Sequence, residues 1–81
     1  MKIPRDLSGR ELATRLPRAF GYRFLHQEGS HIVLQTETPR RHRTAVPDHQ
    51  ALRIGTLNGI LRAIVAAQGI PKEEAFRRLF E

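Results

Sequence analysis

Apolar residues recur along this chain in two rhythms, and the change from one to the other marks its elements. Leu12, Leu16 and Phe20 stand four apart, the spacing that lines one face of an α-helix. Ser8-Gly9-Arg10-Glu11 leads into that stripe, and there a serine hydroxyl can cap the third helical amide while the glutamate reaches back to the serine amide. The pattern predicts a helix from Ser8 to Phe20, ended by Gly21. Pro17 lies inside it and is expected to kink or loosen it, because proline lacks an N–H and crowds the carbonyl four residues back. From Tyr22 to Val46 the rhythm shortens to alternation broken by turn residues, the mark of an antiparallel meander. Three strands are predicted, Tyr22 to His26, Ser30 to Thr36 and His42 to Val46, with turns at Gln27-Glu28-Gly29 and around Thr38-Pro39-Arg40. Gly55-Thr56-Leu57 opens a second long helix with Thr56 as its expected N-cap, and Leu57, Ile60, Leu61, Ile64 and Val65 follow at helical spacing up to Gly69. Pro71-Lys72-Glu73-Glu74 starts a third, proline suiting the first turn and the glutamates complementing the helix dipole. Ala75, Phe76, Leu79 and Phe80 form its apolar side.

Strand register follows from the turns. A three-residue loop ending in Gly29 with positive φ would set His26 opposite Ser30, Phe24 opposite Ile32 and Tyr22 opposite Leu34. The second hairpin would pair Ile32 with Val46 and Leu34 with Thr44. This collects the apolar side chains on one face, and so few helices can cover only that face. The predicted fold class is therefore α+β, with order α-β-β-β-α-α and a three-stranded antiparallel sheet carrying its helices on one face. The open face would present Arg23, Leu25, His31, Val33, Gln35, Arg43 and Ala45. No repeat, low-complexity tract or linker interrupts the order, so residues 1–81 read as a single domain.

With 81 residues the core must be thin, since a domain this short buries only about 60% of the surface its unfolded chain exposes. No cysteine is present, which removes disulfides and thiolate metal sites and suits a reducing compartment. No apolar run approaches the roughly 18 to 20 residues that cross a bilayer, and the first residues lack the apolar stretch of a signal peptide; a cytoplasmic location without membrane contact is expected. Fourteen basic residues against eight acidic ones leave a net charge of +6, and twelve of the fourteen are arginine, whose planar fork grips phosphate bidentately. Charge of this kind fits a nucleic acid, an acidic protein partner or plain solubility, and does not choose among them.

His31 is the residue on the open face with the most obvious chemistry. An imidazole of ordinary pKa, about 6.5, can take a proton from a ribose 2′-hydroxyl or return one to a leaving oxygen near neutral pH. A histidine at a hairpin mouth can equally be an ordinary polar residue. Arg40-Arg41-His42-Arg43 is compact enough to hold a backbone phosphate without reading sequence, or to be a solvated hairpin tip. His42 is expected in that phosphate-facing turn, and His26 inward at the sheet rim in a structural role. The histidines lack the close pairing of a metal-binding helix, so no metal is expected. Serine nucleophilic catalysis has little support, because Ser30 adjoins His31 and strand geometry points the two to opposite faces. His49 is the serious companion to His31.

Taken in order and spacing, Ile3-Pro4-Arg5-Asp6-Leu7-Ser8-Gly9, Gly21-Tyr22-Arg23-Phe24, Gly29-Ser30-His31-Ile32, Val46-Pro47-Asp48-His49 and Gly55-Thr56-Leu57 resemble the HicA toxin family of messenger-RNA interferases over nearly the whole chain. The resemblance implies a fold similar to the double-stranded-RNA-binding domain. It also implies a toxin of a type II toxin–antitoxin system, an endoribonuclease that needs no metal or cofactor and depends on the histidine of the Gly-Ser-His motif, here His31, and that a HicB-type antitoxin protein neutralises. On this reading messenger RNA lies over the open face, with phosphates held by Arg23, Arg40, Arg41 and Arg43, while Gly29 and Ser30 shape the turn and His31 moves a proton during 2′-hydroxyl attack. A cyclic phosphate and a 5′-hydroxyl would result, with His49 either carrying the second proton or positioning His31. The chain departs from the family pattern at Pro17, in a second helix about a turn longer than in the shortest members, and at Asp48, where asparagine is common. Two other readings use the same charge: a non-catalytic RNA-binding module, and a basic interaction domain for an acidic protein.

Overall fold

The computed structural model describes residues 4–81; Ile3, which opens the first of the motifs above, lies outside the described residues. The element order is α1 (Gly9–Phe20), β1 (Arg23–Glu28), β2 (His31–Thr36), β3 (His42–Pro47), α2 (Ile54–Gln68) and α3 (Lys72–Phe80), the predicted α-β-β-β-α-α succession. The strands form one antiparallel sheet in the order β1-β2-β3. Helix α1 packs across all three strands, α2 leans on β3, and α3 closes against α1 and α2.

The start of α1 is built as its sequence indicates. Ser8 Oγ accepts from the Glu11 amide at 3.0 Å, and the Ser8 amide donates to Glu11 Oε1 at 3.2 Å, completing a reciprocal capping box. The helix then runs unbroken through Pro17 to Phe20, against the expectation that it would loosen. Proline deletes one intrahelical donor, whereas Leu12, Leu16 and Phe20 on the opposite stripe are all buried, and each fully buried apolar side chain of this size contributes about 1.5–3 kcal/mol. Gly21 ends the helix at φ +72°. Helix α2 begins two residues before the predicted cap: Arg53 is the N-cap and makes no side-chain bond, so Thr56 lies inside the first turn.

The core is a single layer between helices and sheet, centred on Leu12, Leu16, Tyr22, Leu34, Val46 and Ile64, all at most 1% exposed. The β2–β3 register is the predicted one, with Ile32 opposite Val46 and Leu34 opposite Thr44. The β1–β2 register is not. The strands are joined by two residues, Gly29 and Ser30, so Glu28 rather than Leu25 faces His31, Gln27 faces Ile32, and His26 faces Val33. A β-bulge between Phe24 and His26 then sets Phe24 opposite Leu34, not Ile32, and Arg23 opposite Gln35, which returns Phe24 to the core side. Gly29 takes φ +56° as the first of the two turn residues, the place glycine holds in type II′ hairpins.

Candidate active site on the open sheet face

Residues directly opposite in an antiparallel pair share a face, so the observed register defines the helix-free side of the sheet as three rows. Glu28, His31 and Pro47 form one, His26, Val33 and Ala45 the next, and Arg23, Gln35 and Arg43 the third. His31, Glu28, His26, Arg23 and Arg43 are exposed, whereas Val33 is buried and makes an apolar floor between the polar rows. The row holding Arg23 and Arg43 lies four residues along β2 from His31, about 13 Å at strand rise. Arg43 Nε donates to Gln35 Oε1 at 3.0 Å, which aligns its guanidinium along the sheet. Arg40 and Arg41 precede the far end of β3, beyond the Thr36–His42 pair, about 17 Å or more from His31. Arg41 is held by Glu37 at 3.2 Å; Gln35 and Arg41, both donating to Glu37, keep that carboxyl below its ordinary pKa.

Two histidines differ from expectation. His26, expected inward, is exposed on the open face with Nε2 3.1 Å from Glu28 Oε1, because the two-residue turn shifts its parity. His42, expected in a phosphate-facing turn, points to the core side. Its Nδ1 lies 2.7 Å from the Tyr22 hydroxyl and the rings meet edge to face. Burial pushes the His42 imidazole below its ordinary pKa and raises the Tyr22 phenol, the latter opposed by the Gln68 amide.

The end of the sheet that carries His31 is braced by the segment following β3. The Asp48 amide donates to the Ser30 carbonyl, which ties that segment to the turn residue preceding His31. The Asp48 carboxylate accepts from Arg10 Nε and Gln27 Nε2, both at 3.1 Å, and these bonds hold it below the usual carboxylate range, Arg10 foremost. The Gly9 amide donates to the His49 carbonyl at 2.9 Å. A Cβ at Gly9 would come within 1.8 Å of the Pro47 carbonyl oxygen, so α1 approaches this loop in a way that requires glycine. The His49 side chain is exposed beside the anchored backbone.

Asp48 and His49 are expected near His31 from the strand pairing; Arg10, Gln27 and Glu28 are the members of this end that the sequence did not bring together. The dipeptide Gly29-Ser30 was the available signal, since Gly-Ser between two apolar runs reads as a two-residue hairpin turn. Among the described residues no three His, Cys, Asp or Glu side chains gather so as to hold a metal ion, and no helix is long and apolar enough to cross a membrane.

A protein-family model described as HicA toxin of bacterial toxin–antitoxin matches residues 9–64, from the first residue of α1 into α2 and across the whole open face. No curated protein and no solved structure matches the chain.

Proposed function

The chain belongs to the HicA toxin family, over residues 9–64, and on that premise we propose that it is an endoribonuclease acting on messenger RNA with His31 as a catalytic residue and without a metal. The observation that carries the reading is the position of His31. It is exposed at one end of a sheet face that no helix covers, within the Gly29-Ser30-His31 turn, and arginines occupy the same face farther along. A single RNA strand laid along β2 would place one phosphodiester at His31 while Arg23 and Arg43 neutralise phosphates upstream or downstream, contacts that position the strand without specifying its bases. Arg40 and Arg41 extend that track beyond the sheet.

At the reacting phosphodiester, His31 takes the 2′-hydroxyl proton as the 2′-oxygen bonds to phosphorus and the bond to the 5′-oxygen breaks, leaving a 2′,3′-cyclic phosphate and a 5′-hydroxyl end. A positioned imidazole in this role is worth typically 10² to 10⁴ in rate. The departing oxygen needs a proton, and His49 either supplies it or only positions His31. Toxins of type II toxin–antitoxin systems are held in check by a cognate protein, and a HicB-type antitoxin covering the open face would block RNA directly.

The test is incubation of the purified chain with end-labelled single-stranded RNA in excess chelator, followed by end-group analysis. Cleavage giving cyclic phosphate and 5′-hydroxyl termini is expected. Cleavage that chelator abolishes, or that leaves 5′-phosphate ends, would contradict the mechanism. RNA binding without cleavage would favour a non-catalytic module.

A further inference from the structure

The β1–β2 hairpin places an unforeseen group beside His31. Glu28 stands directly opposite it across the two-residue turn. The same two-residue turn puts His26, two residues before Glu28 on the strand, on that face as well, where its Nε2 lies 3.1 Å from Glu28 Oε1. His26 is an exposed imidazole with a carboxylate on one ring nitrogen and the other, Nδ1, in no hydrogen bond among the described residues. Opposed residues on one face have Cβ atoms about 4.5–5.5 Å apart and diagonal neighbours about 7–8 Å. The Glu28 carboxylate is held on the His26 ring while its backbone faces His31, and the diagonal spacing from His26 to His31 is wide enough for one phosphodiester.

Resting on the reading of His31 as the group that deprotonates the 2′-hydroxyl, we infer that His26, held by Glu28, is the second proton carrier of the same reaction. As the 2′-oxygen bonds to phosphorus its proton passes to His31. As the bond from phosphorus to the 5′-oxygen breaks, protonated His26 gives the proton on Nδ1 to that oxygen. One proton leaves the RNA and one enters it, so the cyclic phosphate and the 5′-hydroxyl form without any co-reactant, and solvent restores both rings. Glu28 is a positioning residue that fixes the His26 ring through Nε2, as carboxylates do for catalytic imidazoles. His49 has its backbone tied to α1 but shows no carboxylate on its ring among the described residues, which is why His26 is the better-equipped donor. The titratable groups facing His26 are Glu28 on its own strand and His31 on β2; Arg23 and Arg43 lie one row away, Asp48 follows β3 at the His31 end, and no helix covers this face.

The test compares the full chain with its H26A, E28Q, H49A and H31A variants on labelled RNA across pH, and on the same RNA with sulfur replacing the 5′-bridging oxygen at the scissile linkage, a leaving group that needs no proton. His26→Ala is expected to cut the ordinary substrate at least a hundredfold more slowly, to lose the alkaline limb of the pH–rate profile, and to recover on the sulfur substrate to within about tenfold of the unaltered chain. Glu28→Gln, which frees the His26 ring, should slow the ordinary substrate and recover on the sulfur substrate as His26→Ala does, and His49→Ala should keep both limbs. Recovery on the sulfur substrate requires a folded enzyme, so it separates loss of the proton donor from loss of structure. An alkaline limb that survives His26→Ala, or failure of the sulfur substrate to restore that variant, overturns the assignment. Full activity of His31→Ala on ordinary RNA would instead overturn the parent reading.

Discussion

The contact between α1 and the loop that follows β3 makes a prediction that runs against ordinary helix propensity. Replacing glycine by alanine in a helix interior usually stabilises by about 0.5–1 kcal/mol. Gly9→Ala should do the opposite. The new Cβ would lie 1.8 Å from the Pro47 carbonyl oxygen, 2.8 Å from its carbon and 3.2 Å from Asp48 Cα. All three are backbone atoms, so no flexible side chain can swing aside, and relief demands that α1 and the loop separate by more than an ångström. That movement stretches the 2.9 Å bond from the Gly9 amide to the His49 carbonyl. Overpacking costs about 1–3 kcal/mol and a weakened hydrogen bond about 1 kcal/mol, against which the propensity gain is smaller. With a net loss of about 1–3 kcal/mol, and about 4–8 °C per kcal/mol for a domain of this size, the melting temperature should fall by about 5–20 °C. Gly59 supplies the matched control, since it lies exposed inside α2 and a Cβ there meets nothing within 4 Å; Gly59→Ala should raise the melting temperature by about 3–8 °C. Thermal denaturation followed by circular dichroism reads both. A Gly9→Ala chain that melts at or above the unaltered one would refute the close approach of α1 to this loop.

Other consequences follow from the same contacts. Ser8→Ala removes the hydroxyl that caps the Glu11 amide and should cost about 1 kcal/mol, or about 4–8 °C in the same melt. Asp48→Ala unties Arg10 and Gln27 from the segment beside Ser30; cleavage should slow on the order of tenfold with RNA affinity nearly unchanged, which a filter-binding titration beside a rate measurement will show. Burial holds His42 below its ordinary value of 6.5, so the folded state binds that proton less readily than the unfolded chain. The stability it contributes is full above that value and is lost as pH falls through the window beneath it. Tyr22 is raised above its ordinary 10.0, so its share is full below that value and is lost as pH rises past it. Urea midpoints should therefore be flat between these limits and decline on both sides, and His42→Gln should flatten the decline between about pH 7 and 5; an unchanged acid slope in that variant contradicts the assignment.

Wherever one rhythm operated alone, the fold was legible in the sequence. The four-residue stripe of α1, its capping box and the β2–β3 register all follow from local pattern and were found as predicted. The first hairpin carries two signals that conflict. The apolar face asks Tyr22 and Phe24 to lie on the core side, whereas a two-residue turn at Gly29-Ser30, continued regularly, would put Phe24 opposite Gln35 and outward. The chain satisfies both by inserting Leu25 as a bulge, and a bulge leaves no periodic trace. The two-residue turn itself sets His26 outward and Glu28 opposite His31, so the shift in register and the unforeseen part of the site have one cause. Phe24 shows what the compromise leaves, since it reaches the core side at an edge strand and remains 60% exposed. The Asp48 brace was hidden for a different reason: Arg10, Gln27 and Asp48 come from three elements, and nothing in their spacing announces that α1 and the first hairpin meet at the end of β3.

The central claim is that His31 performs proton transfer on RNA bound over the open face. Its most direct measurement is the single-turnover cleavage rate of one labelled RNA by the unaltered chain and by His31→Ala, with the affinity of each for that RNA measured in parallel. A rate loss of about 10² to 10⁴ is expected with affinity changed by no more than a few-fold, because the arginines proposed to hold phosphate are untouched. Equal rates in the two proteins would contradict it.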